Sequence, residues 1–122
     1  MSFSWDEYLE IAKFLQVGPT TGTSGFSSDA TSRCAVSRAY YAAFCHARNY
    51  ARDKQGFKPT STPADHGLLR DHYQKKRMNK VARHLEQLRI WRNKCDYDDT
   101  VSGLSWMVTS SITRATTIIS DL

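Results

Sequence analysis

A run of small residues inside one long helical segment restricts the fold more than any other feature of the sequence. Ser27 or Ser28 can cap this helix, which is predicted to run to about Lys54. Small side chains let neighbouring helices approach closely, and here they are Ala35, Ala39, Ala42, Ala43 and Ala47. The bulky residues among them are Tyr40, Tyr41 and Phe44. We interpret these aromatic residues as core packing and not as base stacking. The expected buried face comprises Ala30, Cys34, Ser37, Tyr41, Phe44 and Arg48.

A shorter first helix is predicted from Ser4 to Val17. Ser4 and Glu7 have the spacing of a capping box, and the Gly-Pro pair at 18–19 would end the helix. Its apolar stripe consists of Trp5, Tyr8, Leu9, Ala12 and Leu15. The stretch 20–26 lacks the Gly-Lys-Ser/Thr of a phosphate-binding loop, so we interpret it as a connector.

A short third helix follows a loop at 55–61. Thr62 offers an N-cap, and Pro63 and Asp65 after it are typical of a first helical turn. The predicted helix carries His66, Leu69, His72 and Tyr73.

Two longer helices complete the chain. The fourth is predicted from about Lys75 to Cys95, with a stripe of Met78, Val81, Leu85 and Leu88. The Asp-Asp-Thr run at 98–100 would break and recap the chain before a fifth helix that ends near Ser120. The fifth helix presents Val101, Leu104, Val108, Ser111, Ala115 and Ile118, with Met107, Ile112 and Ile119 beside them. Because no segment alternates like a strand, we predict one all-α domain over 1–122, an up-and-down four-helix bundle with an additional short helix.

Charge is distributed unevenly along the chain. The net charge is +5, but residues 70–94 alone carry nine basic and two acidic side chains, and both ends of the chain are acidic. A basic block of this kind favours a polyanion such as nucleic acid as partner, although a solvated helix face would give the same pattern. The candidate nucleic-acid-binding residues are Lys76, Arg77, Lys80, Arg83 and Arg89.

Several functional classes are disfavoured by the composition. No apolar run reaches the roughly 18 residues of a membrane span, and the acidic N-terminus does not resemble a signal peptide. Cys34, Cys45 and Cys95 have no framework spacing, which favours free thiols and a cytoplasmic protein. No His or Cys pair has the spacing of metal ligands and no cofactor motif occurs, so we expect neither a metal nor a cofactor.

An arginine occupies a position where the fourth helix should bury an apolar residue. The stripe, continued beyond Leu88, falls on Trp91 or Arg92, and a buried arginine is rare unless its charge is paired or used. Asp96 lies four residues later on the same helix face and can pair with it. A structural ion pair and an anion-binding arginine are therefore both open.

Three segments of the chain together resemble the signature of the HEPN family (higher eukaryotes and prokaryotes nucleotide-binding). They are Ser37–Phe44 in the second helix, His66–Leu69 in the third and Leu88–Tyr97 in the fourth, in the order that the family has them. The third segment departs from the family at Cys95, where alanine is usual before Asp-Tyr. The resemblance spans most of the chain and implies a small helical bundle that is usually a homodimer.

The resemblance also implies a site for metal-independent RNA cleavage across the dimer. Ribonuclease members use an arginine, the polar residue after it and a histidine a few residues later. Arg92 and Asn93 match the first two, but Asp96 and Tyr97 stand where the histidine would be. Arginine can stabilise the charge on a phosphate, and histidine can move a proton near neutral pH. Tyr97, with a reference pKa of about 10, is a poor base at pH 7. His66 could supply the imidazole if the third helix packs near the fourth.

Two functional hypotheses follow from the resemblance. The first is an RNA-acting HEPN protein, a ribonuclease of a toxin–antitoxin or phage-defence system with a cognate antitoxin as partner. The alternative is a non-catalytic HEPN module that binds a nucleotide, RNA or a partner protein such as a nucleotidyltransferase, and the missing histidine favours it. A purely structural dimerisation bundle is a third reading.

Overall fold

Five helices make up the part of the chain that the computed structural model describes, residues 3–17 and 27–122. They are α1 (Glu7–Val17), α2 (Ser28–Gln55), α3 (Asp65–Lys75), α4 (Asn79–Tyr97) and α5 (Leu104–Asp121). No strand occurs in these residues, so the predicted all-α fold class with an extra short helix is confirmed. The Gly-Pro stop at 18–19 and the connector predicted at 20–26 lie outside the described residues.

The second helix is the centre of the fold, because α2 packs against each of the other four helices. The helices α1, α4 and α5 surround it, and α3 packs on α4 and on one side of α2. The predicted close approach is confirmed by the fully buried alanines of α2, which are Ala35, Ala39, Ala42, Ala43, Ala47 and Ala51. The predicted cap is also present, since the Ser27 hydroxyl accepts a hydrogen bond from the amide of Ala30.

The single buried face predicted for α2 is wrong in part. Cys34 is exposed, whereas Val36 and Tyr40 are buried although the predicted stripe omits them. A helix with neighbours on several sides buries a broad surface, which a one-stripe pattern does not describe.

The predicted start of the fourth helix at Lys75 is also wrong. The third helix continues through Lys75, and α4 begins at Asn79. The turn between them contains Arg77 in the left-handed region, with a φ of 59°. A non-glycine residue in this region interrupts a helix, and nothing in the local sequence announces it.

Two other helix starts differ from the prediction. Helix α1 begins at Glu7. The Glu7 amide donates to the backbone carbonyl of Ser4 at 3.1 Å and not to the Ser4 hydroxyl that the capping box would use. Helix α5 begins at Leu104 and not directly after Thr100, because Gly103 adopts a φ of 67° and precedes the first turn.

Helix α3 is fixed to the loop before it by a buried carboxylate. The carboxylate of Asp65 accepts hydrogen bonds from the Thr60 amide at 2.9 Å, the Thr60 hydroxyl at 2.6 Å and the Ser61 amide at 3.0 Å. The side chain of Thr62 does not cap α3 as predicted. The Thr62 carbonyl accepts a hydrogen bond from the Asp65 amide, and the Thr62 hydroxyl is hydrogen-bonded to the Thr60 hydroxyl. At the other end of α3, the Tyr73 hydroxyl donates to the carbonyl of Ala47 in α2 at 2.6 Å.

An arginine of α2 caps the C-terminal end of α4. The guanidinium of Arg33 donates to the carbonyls of Cys95, Asp98 and Asp99 at 2.9, 2.6 and 3.1 Å. A cation at this end satisfies carbonyls that have no partner within the helix and interacts favourably with the helix dipole. The last turns of α4, which carry Arg92 and Asp96, are thereby held against α2.

We predict that Asp65→Asn lowers the free energy of unfolding at pH 7 by about 1–3 kcal/mol, because hydrogen bonds to a charged acceptor are lost. Burial raises the pKa of Asp65, but the hydrogen bonds from Thr60 and Ser61 outweigh it, so the folded pKa lies below the ordinary value. The stabilisation is therefore present above about pH 4 and disappears as the pH falls through the folded pKa.

Urea unfolding of the wild type and Asp65→Asn at neutral and acidic pH measures this contribution, with the half-exposed Asp71→Asn as control. Equal destabilisation by the two variants at pH 7 would contradict the role of the buried carboxylate.

Candidate functional site

Trp91 and Arg92, the two residues on which the apolar stripe of α4 could continue, face different helices. Trp91 is buried and packs in a cluster with residues of α5, including Met107 and Val108. Arg92 faces α2, and its guanidinium carbon lies 5.4 and 5.5 Å from the ring centres of Tyr40 and Tyr41. Its side chain is only 12% exposed. The arginine is therefore nearly enclosed between α4 and the aromatic face of α2.

The guanidinium of Arg92 has few partners for a group so enclosed. Its Nη1 donates to the Tyr41 hydroxyl at 3.3 Å and to a carboxylate oxygen of Asp96 at 3.4 Å. The ion pair predicted with Asp96 thus forms, but both contacts are at the long end of the hydrogen-bond range. The Nε–H is buried without a partner among the described residues. An unsatisfied buried donor of this kind costs about 1–3 kcal/mol. The Nη2 of Arg92 also makes no hydrogen bond to the described residues and is not fully enclosed, so Arg92 retains capacity for a further acceptor at that atom.

The imidazole of His66 contacts Tyr40, the same tyrosine that the Arg92 guanidinium contacts. His66 is in the first turn of α3, where its Nδ1 forms a short hydrogen bond with the Tyr40 hydroxyl. Its ring also stacks on Phe44, with 4.3 Å between the ring centres. Tyr40 therefore contacts both Arg92 and His66. The condition under which His66 could supply the imidazole was that α3 packs near α4, and the structure meets it.

The electrostatic environment keeps His66 neutral. Burial lowers the pKa of His66, and the charges of Arg89 and Arg92 lower it further against a small opposing effect of Asp65. Burial also raises the pKa of Tyr40, so this hydroxyl keeps its proton and we assign it as the donor to Nδ1. The imidazole proton is then on Nε2, which has no partner among the described residues and is not fully enclosed. His66 consequently presents an N–H donor beside Arg92.

One predicted nucleic-acid-binding residue, Arg89, belongs to this site. Arg89 is half-buried one turn before Arg92, and its charge acts on the pKa of both Tyr40 and His66. It forms no ion pair within the part of the chain that the structure describes. Arg89 thus adds a second cation to Arg92 and raises the positive potential around His66.

The other four predicted nucleic-acid-binding residues lie elsewhere. Lys76 and Arg77 are exposed in the turn between α3 and α4. Lys80 and Arg83 are exposed on α4, and Arg83 precedes Arg92 by nine residues, which is about 180° around the helix. The basic block is therefore split between two sides of α4 and does not form one surface.

Asn93 and Tyr97 do not join the Arg92 site. Asn93 is half-buried and makes no side-chain hydrogen bond to the described residues. Tyr97 is the last residue of α4 and is 76% exposed, about 140° around the helix from Arg92. The resemblance places both residues in a site shared by two copies of the chain, so their role in that site stays a prediction.

The residues that sequence reasoning missed are Tyr40 and Tyr41. Their interpretation as core residues is confirmed for Tyr40, which is 1% exposed, while Tyr41 is half-buried. Their polar role was not foreseen. The available signal was the hydroxyl itself, because a buried tyrosine generally requires a hydrogen-bond partner.

We define the Arg92 site as Tyr40, Tyr41, His66, Arg89, Arg92 and Asp96. Within the described residues, no group of three or more His, Cys, Asp or Glu side chains is arranged to hold a metal ion. Nor does any helix of that part of the chain have the length and apolarity to cross a membrane. No protein-family model, curated protein or solved structure matched the chain. Functional inference therefore depends on the chemistry of the Arg92 site.

We predict that Arg89→Gln raises the pKa of His66 toward its ordinary value, because one of the cations that disfavour the imidazolium is removed. Arg83→Gln removes the same charge from the opposite side of α4 and should leave the pKa of His66 unchanged. Titration of the imidazole resonances by NMR measures both. An equal shift in the two variants would show that net charge, and not position, controls His66.

Proposed function

We propose that this chain is an RNA-acting protein of the HEPN kind in which Arg92 and His66 contact one phosphate of the RNA. The observation that supports this most is the nearly enclosed Arg92, whose Nη2 has no partner among the described residues, beside the available Nε2–H of His66. Both groups are hydrogen-bond donors, and they share Tyr40 as a support. A phosphate oxygen is the kind of acceptor that such a pair suits.

The chemistry of Arg92 favours a phosphate over a structural ion pair alone. A guanidinium binds phosphate through two parallel N–H bonds, which a single long contact to Asp96 does not use. Asp96 then serves to orient Arg92 and is not its final partner. Arg89 adds positive potential nearby, which favours any anion that approaches.

The proposed activity is metal-independent RNA cleavage as part of a toxin–antitoxin or phage-defence system. Cleavage requires that the 2′-hydroxyl loses a proton and that the 5′-oxygen gains one. The second transfer requires a His66 that carries both ring protons, because the imidazolium donates from Nε2 to the leaving oxygen and is left as a neutral ring. The first requires a His66 whose ring proton is on Nδ1 and donated to the Tyr40 oxygen, so that Nε2 is free to accept the proton of the 2′-hydroxyl. One imidazole cannot hold both states at once, which is why we place the active assembly in a homodimer.

A non-catalytic role is the second candidate, and the Tyr40–His66 hydrogen bond favours it. If Tyr40 always donates to Nδ1, then Nε2 keeps its proton and His66 cannot act as a base at that atom. The protein would then be a HEPN module that binds a nucleotide, RNA or a partner protein such as a cognate antitoxin or a nucleotidyltransferase.

We expect purified protein to cleave single-stranded RNA in the presence of a metal chelator, and Arg92→Ala to lower the cleavage rate by about 100-fold or more, since it removes the group that stabilises the phosphate charge. Arg52→Ala is the control, because Arg52 is an exposed arginine of α2 whose one ion pair among the described residues is with Asp53. Retained RNA with no cleavage in the wild type would favour the non-catalytic module.

Expression of wild type and Arg92→Ala in cells tests the toxin role separately. The wild type should arrest growth and Arg92→Ala should not. Equal growth of both strains, with soluble protein confirmed in each, would contradict a toxin.

We also predict that RNA affinity falls with salt and that Arg92→Ala reduces the slope of log K against log salt by about 0.7, the contribution of one phosphate contact on a single strand. Arg52→Ala should retain the wild-type slope. Fluorescence anisotropy with a labelled oligonucleotide over a salt series gives both values. An unchanged slope in Arg92→Ala would exclude the proposed phosphate contact.

A further inference from the structure

A second basic site lies between α4 and α5, away from the Arg92 site. It is an open groove of about 510 Å³. We call it the α4–α5 groove and define it by Lys80, Arg83, His84, Glu86, Gln87, Ile90 and Arg114. Its volume is within the roughly 300–1,000 Å³ of small-molecule sites.

Positive charge in the α4–α5 groove is only weakly neutralised. Lys80 meets Asp121 at 3.7 Å in an exposed pair, and Arg83 and Arg114 have no ion pair within the described residues. The one carboxylate that lines the groove, Glu86, is bound by Arg70 at 2.8 Å. Exposed pairs contribute about 0–1 kcal/mol, so the Lys80 pair does not prevent an anion from competing for the lysine.

The arginine of α5 is held in position before any ligand arrives. The guanidinium of Arg114 lies over the Trp91 ring, 5.3 Å from its centre, and its Nη1 donates to Nδ1 of His84 at 2.9 Å. Arg114 is also the only basic residue of 95–122. An arginine fixed by a ring and an imidazole loses little conformational freedom on binding an anion.

The imidazole of His84 adds a donor to the same groove. Burial lowers the pKa of His84, and the charges of Arg114 and Lys80 lower it further. The ring is therefore neutral at pH 7, and because Nδ1 accepts from Arg114, the proton is on Nε2. The groove consequently combines three cations with one neutral N–H donor.

We propose that the α4–α5 groove binds a diphosphate, with Arg114 on one side and Lys80 and Arg83 on the other. Three cations on two helices match the several negative charges of a diphosphate better than a single phosphate. The ligand is either free pyrophosphate or the diphosphate of a nucleotide. The site does not depend on the proposed function, because Arg83 and Arg92 lie on opposite sides of α4 and no RNA is required.

Calorimetric titration of the full chain with inorganic pyrophosphate, at low salt and without metal, tests the site. We expect Arg114→Gln and Arg83→Gln each to weaken pyrophosphate binding at least tenfold. Arg52→Gln should bind like the wild type, because Arg52 does not line the groove. Circular dichroism checks the fold of each variant, and Arg83→Gln decides the result if Arg114→Gln does not fold, since Arg83 is exposed.

Absence of binding to the wild type, or equal affinity of Arg83→Gln and Arg52→Gln, would overturn the proposal. A loss of pyrophosphate binding in Arg92→Ala alone would place the ligand in the Arg92 site and overturn it as well. Titration with ADP and adenosine identifies the source of the diphosphate. If ADP binds with the affinity of pyrophosphate, the ligand is the free anion. If ADP binds more tightly than pyrophosphate, the ligand is the diphosphate of a nucleotide. Adenosine that binds as tightly as ADP would contradict a diphosphate site.

Discussion

Close packing around α2 is the constraint on which the rest of the structure depends. Six alanines of this helix are completely buried, so each neighbouring helix can approach its backbone. Larger side chains at these positions would separate the helices, because a packed interior has no spare volume. The same closeness brings α3 and α4 together across Tyr40. The small residues of α2 thus fix the distance between His66 and Arg92 without contacting a ligand themselves.

Tyr40 has two roles, and they conflict energetically. As a core residue it fills space at the centre of the bundle, and as a polar residue it supports Arg92 with its ring and His66 with its hydroxyl. The arrangement leaves the Nε–H of Arg92 buried and unsatisfied, a cost that close packing elsewhere must offset. Natural sequences violate the rule of satisfied donors mainly where a group is used. The unsatisfied guanidinium is therefore a stronger indication of a ligand than its position on the helix stripe.

Sequence reasoning predicted the parts of this protein that local patterns determine. The helix count, the Ser27 cap and the Arg92–Asp96 pair all follow from spacings of four residues or fewer. The boundary at Arg77 did not follow, because a left-handed backbone at a residue other than glycine has no local signal in the sequence. Nor did the part of Tyr40 in the Arg92 site, since Tyr40 and His66 are 26 residues apart and meet only through packing.

The basic block shows why a net charge does not locate a site. Residues 70–94 contain a large excess of cations, yet α4 sends Arg89 and Arg92 to one side and Lys80 and Arg83 to the other. What distinguishes a cation that is available from one that is structural is its set of partners. Arg33 has three carbonyls and a carboxylate, and Arg70 has two carboxylates, so each is satisfied within the fold. Arg114 is held by an aromatic ring and one neutral acceptor, and Arg92 by two rings, one hydroxyl and one carboxylate at 3.4 Å. These contacts position each charge with weaker ion pairing than Arg33 or Arg70 has.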